Sequence, residues 1–299
     1  MKFQTWLGPM RLPFVILSPI CVLLGLACAI YTEGTVNILH FILFMIAAVS
    51  AHISVNAFNE YLDFKSGLDE RTSRTPFSGG SGTLPQNPQS AHHALIIAWV
   101  TFTISLIIGI YFVYLRGFFM FFVFASSLFI ILTYTPWITR LPVFSLLAPG
   151  FGFGISMVMG TAFALTGKVT WTAFFASLIP FFLVNNLLLL NQFPDVEADK
   201  SVGRKNYPII LGRERSAVIF TSFIVLTYLS LVCGVLLRFL PWHSLLAAAT
   251  IAIAFPLAKG VKTFADNIPQ LTRYLGFNVV LNLLTPLFVA LGLFISYGR

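Results

Sequence analysis

The sequence predicts an all-α polytopic membrane protein with nine transmembrane helices, and three observations lead to that fold class. Hydrophobic residues make up 58% of the 299-residue chain and charged residues only 9%, against roughly 25% charged in soluble domains. The apolar residues gather into runs long enough to cross a bilayer, which takes about 20 residues. The cations between those runs are shared very unequally between alternate loops. A mean hydropathy of +0.89 leaves no room for a sizeable soluble domain, so residues 1–299 read as a single transmembrane domain.

The runs fall at about 12–31, 37–58, 94–115, 117–134, 143–166, 171–193, 216–237, 242–258 and 276–297. The first has a charged start but no A-x-A-like cleavage site, so it reads as a helix and not as a removed signal. Little more than Arg116-Gly117 separates the third from the fourth. A merged run would be far too long for one crossing, so the two are kept apart. Pro149, Gly150, Gly152 and Gly154 make the fifth a candidate for a broken helix.

Nine crossings put the N-terminus and the loops after even-numbered helices on one side. Fourteen of the 18 Lys and Arg residues lie there, from Lys2 and Arg11 to Arg273; Arg116, Lys168, Arg238 and Arg299 lie opposite. The positive-inside rule makes the richer side cytoplasmic. The net charge of +8 is therefore a matter of topology, and no dense basic stripe calls for nucleic acid. Cys21, Cys28 and Cys233 sit inside apolar runs with no metal or disulfide spacing, as small buried residues do. The absence of an organelle transit peptide points to a prokaryotic plasma membrane.

Two polar loops, about 59–93 and 194–215, follow even-numbered helices and start alike, with Asn59-Glu-Tyr-Leu-Asp63 and Asn191-Gln-Phe-Pro-Asp195. Each continues through Lys-Ser towards glycine. Four helices separate the copies, so they share an orientation, which predicts a parallel internal repeat around a central cavity. Of only ten acidic residues, Glu60, Asp63, Asp69, Glu70, Asp195, Glu197 and Asp199 lie in these two stretches. Carboxylates beside a membrane are costly and mark function. At helical spacing His52, Asn56, Asn59 and Asp63 share one face. Asn191, Asp195 and Asp199 would share another, edged by Gln192 and Asn185, unless Pro194 ends that helix. An oxygen-rich cage of this kind suits Mg²⁺, which prefers carboxylate, carbonyl, water and phosphate oxygens. Lys65, Arg71 and Arg74 follow the first motif, and Lys200, Arg204 and Lys205 the second. Carboxylates holding Mg²⁺, flanked by such cations, would bind a diphosphate. Ser78-Gly-Gly-Ser-Gly82 offers a weaker anion nest, and His92 and His93 mark a loop-to-helix boundary.

At these motifs, NEYLDFKSGLD (59–69) and NQFPDVEADKSVGRK (191–205), the chain resembles the UbiA superfamily of intramembrane aromatic prenyltransferases. The resemblance implies nine helices, two aspartate-rich cytoplasmic loops and Mg²⁺-dependent use of a polyprenyl diphosphate. It carries over Asp63, Asp195 and Asp199 as catalytic carboxylates. With Asn59 and Asn191 they would hold the metal diphosphate, and Asp69 is the candidate for an aspartate missing at Gly67. Lys200 and Arg204 match phosphate-contacting positions, with Lys65 and Arg71 beside them. Tyr134 and Arg140, in YTPWITR, resemble a further substrate-binding segment. The D-x-K-S-G-x-D form and SGGSG are similar to the 1,4-dihydroxy-2-naphthoate polyprenyltransferase branch of menaquinone synthesis. The implied partners are a polyprenyl diphosphate, an aromatic acceptor and membrane lipid, with no nucleic acid. Other acceptors such as 4-hydroxybenzoate remain open, as does, outside the enzymes, a transporter. A transporter would place its charges near the bilayer midplane, whereas these lie at helix ends.

Overall fold

The computed structural model describes residues 4–298, so Lys2 and Arg299, counted above among the topological charges, lie outside the described residues. Among the described residues every regular element is helical. Eight helices are long and apolar enough to cross a membrane: α1 (Thr5–Glu33), α2 (Ile38–Lys65), α3 (Pro88–Arg116), α5 (Pro142–Thr166), α6 (Trp171–Asn191), α7 (Arg213–Leu236), α8 (Trp242–Thr263) and α9 (Ile268–Ser296). Between α3 and α5 lies the shorter apolar α4 (Phe118–Thr133). The nine expected runs each become a helix, most of them longer than the run because their polar ends stay helical.

Local chemistry sets the ends. Asn37, Thr170 and Asn267 accept backbone N–H groups at the starts of α2, α6 and α9, relieving donors that have no partner inside the helix. The split between α3 and α4 depends on Gly117, whose φ of +75° is open to glycine at no steric cost and turns the chain back at once. α1 is interrupted at Arg11, which adopts left-handed φ and ψ. α5 is not broken at its Pro-Gly cluster. It widens into a π-helical stretch over Phe151–Met159 and resumes as α-helix at Gly160.

α2 lies along α3 and α6 along α7, the repeated pairing that the four-helix offset of the motifs predicts. α1, α5, α6 and α9 form the centre. Lipid is as apolar as leucine, so close van der Waals packing through small residues holds such helices together. A Cβ on Gly25 of α1 would lie 2.6 Å from the Val158 carbonyl oxygen, and one on Gly154 of α5 would lie 2.5 Å from that of Ser177. Large apolar residues such as Ile107, Tyr114, Phe118 and Phe255 remain exposed around the outside, where lipid would cover them. At the end of the bundle away from the motifs, Arg116 donates to the Ala164 and Leu165 carbonyls that close α5. Lys168 pairs with Glu33 at that same end. Cys21 and Cys28 are buried, Cys233 is partly so, and all three are free.

Candidate active site

The C-terminal ends of α2 and α6 meet at a polar cavity of about 110 Å³. α2 stays helical to Lys65, so Asn59 and Asp63, one turn apart, both face it. α6 stops at Asn191, and the chain turns through Pro194 into a short helix over Val196–Ser201. The second motif is therefore not one continuous helical face. Even so, Asn191, Gln192, Asp195 and Asp199 all line the same cavity, because the turn folds the short helix back over it. Asn185 is not at the edge; it is buried and accepts the Gly150 N–H, anchoring α6 to α5.

Arg204 is the centre of the charge arrangement. Its guanidinium pairs with Asp63 of the first motif and donates to Asp199 Oδ1 of the second at 2.8 Å. Asn206 Nδ2 donates to the other Asp199 oxygen at 2.9 Å. Burial would lower the guanidinium's pKa, but Asp63 and Asp199 together hold it above its ordinary value. Asn59 Nδ2 donates to Asp63 Oδ2 at 3.0 Å and to Thr135 Oγ1 at 3.2 Å.

Arg11 makes a second pair. Its Nε donates to Glu60 Oε1 at 2.6 Å, and Glu60 is fully buried. Glu60 also accepts the Ser81 N–H at 2.7 Å and its hydroxyl at 2.8 Å, which fastens the Gly-rich run to the end of α2. Gly80 in that run has φ +75°, and a Cβ there would meet Asp69 Oδ1 at 3.1 Å. The Gly-rich segment is thus a wall pressed against carboxylates.

Three buried carboxylate and amide oxygens lining this cavity have no hydrogen-bond partner among the described residues: Asp69 Oδ2, Asn191 Oδ1 and Asp195 Oδ1. Burial, then the charges of Glu60 and Asp63, push the Asp69 carboxyl up to about 7; burial, then Asp199, do the same to Asp195. Among the described residues no three His, Cys, Asp or Glu side chains converge closely enough to hold a metal ion unaided. Unsatisfied carboxylate and amide oxygens are nonetheless donors that suit a hard cation. Mg²⁺ characteristically takes one or two carboxylates and completes its shell with water and substrate phosphates.

An apolar cavity of about 190 Å³ adjoins the polar one and runs between α2, α3, α4 and α5. Arg11, Asn59, Tyr134 and Leu188 line both. His52 and Asn56, the upper part of the α2 face, line this second chamber, with Phe44, Phe124 and Phe153. His52 Nδ1 lies 2.8 Å from Ser18 Oγ. Gly152, in the π-helical stretch, faces open space there: a Cβ would meet nothing within 4 Å.

Four of the candidate residues are not brought to the cavity lining. Lys65 is exposed over the Tyr61 ring, and Lys200 and Arg140 are also exposed. Arg71 reaches outside the cavity to donate to Ser201 Oγ at 3.1 Å, linking the two motif segments. Arg11, Ser145 and Asn206 line the cavity or brace it and were not singled out from the sequence. Of these only Arg11 carried a signal: an arginine at the edge of the first apolar run is a costly placement.

The UbiA prenyltransferase family model matches residues 18–277. The chain is 25% identical over 283 residues to a 1,4-dihydroxy-2-naphthoate octaprenyltransferase of Bacillus subtilis, covering 93% of this chain and 88% of the relative. In fold it is similar to an apo UbiA homolog from Aeropyrum pernix K1, with a TM-score of 0.71 at 19% identity over 95% of this chain and 98% of the other. It is also similar to a UbiA homolog from Archaeoglobus fulgidus bound to GPP and Mg²⁺, with a TM-score of 0.59 at 15% identity over 99% and 100%.

Proposed function

Since the chain belongs to the UbiA prenyltransferase family, we propose that this integral membrane enzyme transfers a polyprenyl group from its diphosphate to an aromatic acceptor, with Mg²⁺. The observation that carries the reading is the adjacency of two chambers: a carboxylate-lined cavity with three unpaired carboxylate and amide oxygens among the described residues, sharing Arg11, Asn59, Tyr134 and Leu188 with an apolar one. A prenyl diphosphate has that same division into an anionic diphosphate head and a hydrocarbon tail. The relative from Bacillus subtilis favours 1,4-dihydroxy-2-naphthoate as the acceptor, and the Archaeoglobus fulgidus homolog favours Mg²⁺ with the donor. The whole chain acts as one catalytic unit, with the motif end of the bundle and the N-terminus on the cytoplasmic side of a plasma membrane.

In this reading Asp63, Asp69, Asn59, Asn191, Asp195 and Asp199 line the space where the cation would be held, and the unpaired oxygens of Asp69, Asn191 and Asp195 would be offered to it. When bound, Mg²⁺ neutralises charge on the leaving diphosphate. Arg204 and Arg11 face the same space with fixed guanidinium groups, already oriented by Asp63, Asp199 and Glu60, so little reorganisation is needed as charge develops. Lys65, Arg71, Lys200 and Arg140 belong to the outer field that attracts the anion. The allylic C–O bond lies at the junction marked by Asn59 and Tyr134. Aromatic faces of Tyr134 and Phe153 stabilise the allylic cation, and the apolar walls exclude water from it. The acceptor ring forms the new C–C bond there. Aromaticity returns when the attacked carbon loses its proton, or its carboxylate as carbon dioxide.

The test uses membranes containing the protein, labelled geranylgeranyl diphosphate and 1,4-dihydroxy-2-naphthoate, with and without Mg²⁺. A prenylated naphthoquinol that needs Mg²⁺ and disappears in Asp63→Asn and Asp195→Asn is the expected result. Product only with 4-hydroxybenzoate would reassign the acceptor. No product with any acceptor from folded protein would overturn the reading.

A further inference from the structure

A third and larger chamber, of about 650 Å³, lies on the far side of the Gly-rich wall, between the start of α1 and residues 74–87. Phe77, Ser78 and Gly80 line both it and the polar cavity, so that segment stands between this chamber and the reacting groups. Its charge is of the opposite sign. The polar cavity is lined by four aspartates, whereas Arg11 and Arg74 are the charged side chains here, with no carboxylate among the described lining residues. Arg11 is already held by Glu60. That leaves Arg74, which is exposed and forms no ion pair among the described residues, as the cation without a counter-ion.

The position of Arg74 is defined all the same. A Cβ on Gly82 would collide with Arg74 Nη1, and one on Gly79 would fall 3.0 Å from Arg74 Cα. Two glycines with positive φ therefore leave the room in which this side chain lies along the loop. The facing wall is apolar, with Leu7, Leu12 and Phe14 of α1. Leu12 is 43% exposed, and Ile16, one turn further on and in none of the three chambers, is 50% exposed. The apolar wall thus runs out onto the lipid-facing surface of α1, at the motif end of the bundle. Arg74 lies on the polar side of the chamber with the neutral hydrogen-bonding groups of Thr83, Gln86 and Asn87. A phospholipid has the same two parts at the same depth: an anionic phosphate above, hydrocarbon below.

We propose that this chamber holds one anionic phospholipid that takes no part in the reaction, with its phosphate on Arg74 and its first acyl carbons against Leu7, Leu12 and Phe14. Guanidinium and phosphate meet in charge-assisted, frequently bidentate hydrogen bonds, and basic pockets beside transmembrane helices take anionic head groups at this depth. A zwitterionic lipid brings its own cation to the same guanidinium and gains less. The Gly-rich wall keeps the lipid from Asn59 and Tyr134, so it is a brace and not a reactant: it packs against the outer side of the segment whose inner side closes the polar cavity. The proposal does not depend on the chemistry inferred above.

The experiment titrates the full chain, stripped of lipid in a neutral detergent, with phosphatidylglycerol, phosphatidylcholine or inorganic phosphate. Native mass spectrometry reads bound lipid, and thermal unfolding reads all three ligands. One phosphatidylglycerol per chain, bound about fivefold more tightly than phosphatidylcholine, is the expected result. Arg74→Gln should weaken phosphatidylglycerol about fivefold and phosphatidylcholine little. Gln86→Glu puts a carboxylate into the lining while leaving Arg74 in place, and should produce the same selective loss even if Arg74→Gln folds poorly. Lys259→Gln, which removes an exposed cation of α8 at the same end of the bundle, should change binding less than twofold. Equal binding of the two lipids would overturn the proposal, as would an equal loss in Lys259→Gln, which would mean diffuse attraction to a basic surface. Stabilisation by inorganic phosphate as great as by phosphatidylglycerol would also overturn it, by making the occupant a soluble anion.

Discussion

Arg204, in the segment after α6, is ion-paired with Asp63 on the last turn of α2, 141 residues earlier in the chain. The same guanidinium holds Asp199, so one cation balances a carboxylate from each motif. Arg204→Gln would leave both acids uncompensated in a largely buried setting. Its kcat/KM is expected to fall by about 10²–10³, the scale of losing a preorganised charge contact in the transition state. A cycle with Asp63→Asn should be strongly non-additive, because the two side chains are in direct contact. Steady-state kinetics of the two single variants and the double variant read both effects.

The unpaired carboxyls predict an unusual pH response in the ligand-free protein. Asp69 and Asp195 are raised from 3.8 to about 7 by burial and neighbouring acids. Over that window these two groups hold more protons in the folded protein than in the unfolded chain, so their contribution to stability is full below about pH 4 and is lost as pH rises through 7. Asp195→Asn should flatten this dependence. It should raise the Tm of the ligand-free protein at pH 8 by about 2–4 °C while abolishing Mg²⁺-dependent turnover. Thermal unfolding in detergent across pH, without divalent cations, checks the sign.

Glu60 has a different task from the other acids of its motif. It is fully buried and occupied by Arg11 and Ser81. Glu60→Ala strands Arg11 and releases the Gly-rich segment, at a cost of about 3 kcal/mol. Glu60→Gln keeps an oxygen for Ser81 and should cost less. Denaturation of the two variants, with limited proteolysis around Ser78–Gly82, separates loss of the ion pair from loss of the anchor.

Gly152 faces empty space in the apolar chamber. Gly152→Leu should fill part of that chamber and disfavour long donors, raising their KM several-fold while changing geranyl diphosphate little. A cavity fitted to chain length discriminates by roughly tenfold per step at the low end. Product chain-length analysis from mixed donors reads the shift.

The face of α2 was legible because His52, Asn56, Asn59 and Asp63 repeat at helical spacing through an apolar run, and all four line the chambers. The same periodicity explains two of the cations that stay outside. Lys65 comes two residues after Asp63, some 200° round the helix, and Lys200 comes one after Asp199, about 100° round. Proximity in sequence could not distinguish those from Arg204, whose approach depends on the turn after Ser201. Arg11 was hidden for another reason: at the end of an apolar run it reads as a topological charge, and only the left-handed kink of α1 turns it inward. The widening of α5 had a sequence trace in Pro149 and its glycines, but these residues equally permit a break, and packing of Gly150 and Gly154 against α6 decides between them.

Arg11, Asn59, Tyr134 and Leu188 line both the polar and the apolar chamber, and this has a consequence for how the protein can diversify. Each of the two also has walls of its own: α3 and α4 for the apolar one, the segment after α6 for the polar one. Substitutions in one of those walls can reshape its chamber without touching the other. The four shared residues have no such freedom, since any change there is felt on both sides at once. Within a lineage of such enzymes, side-chain variety should therefore collect along the separate walls while the seam they share stands still.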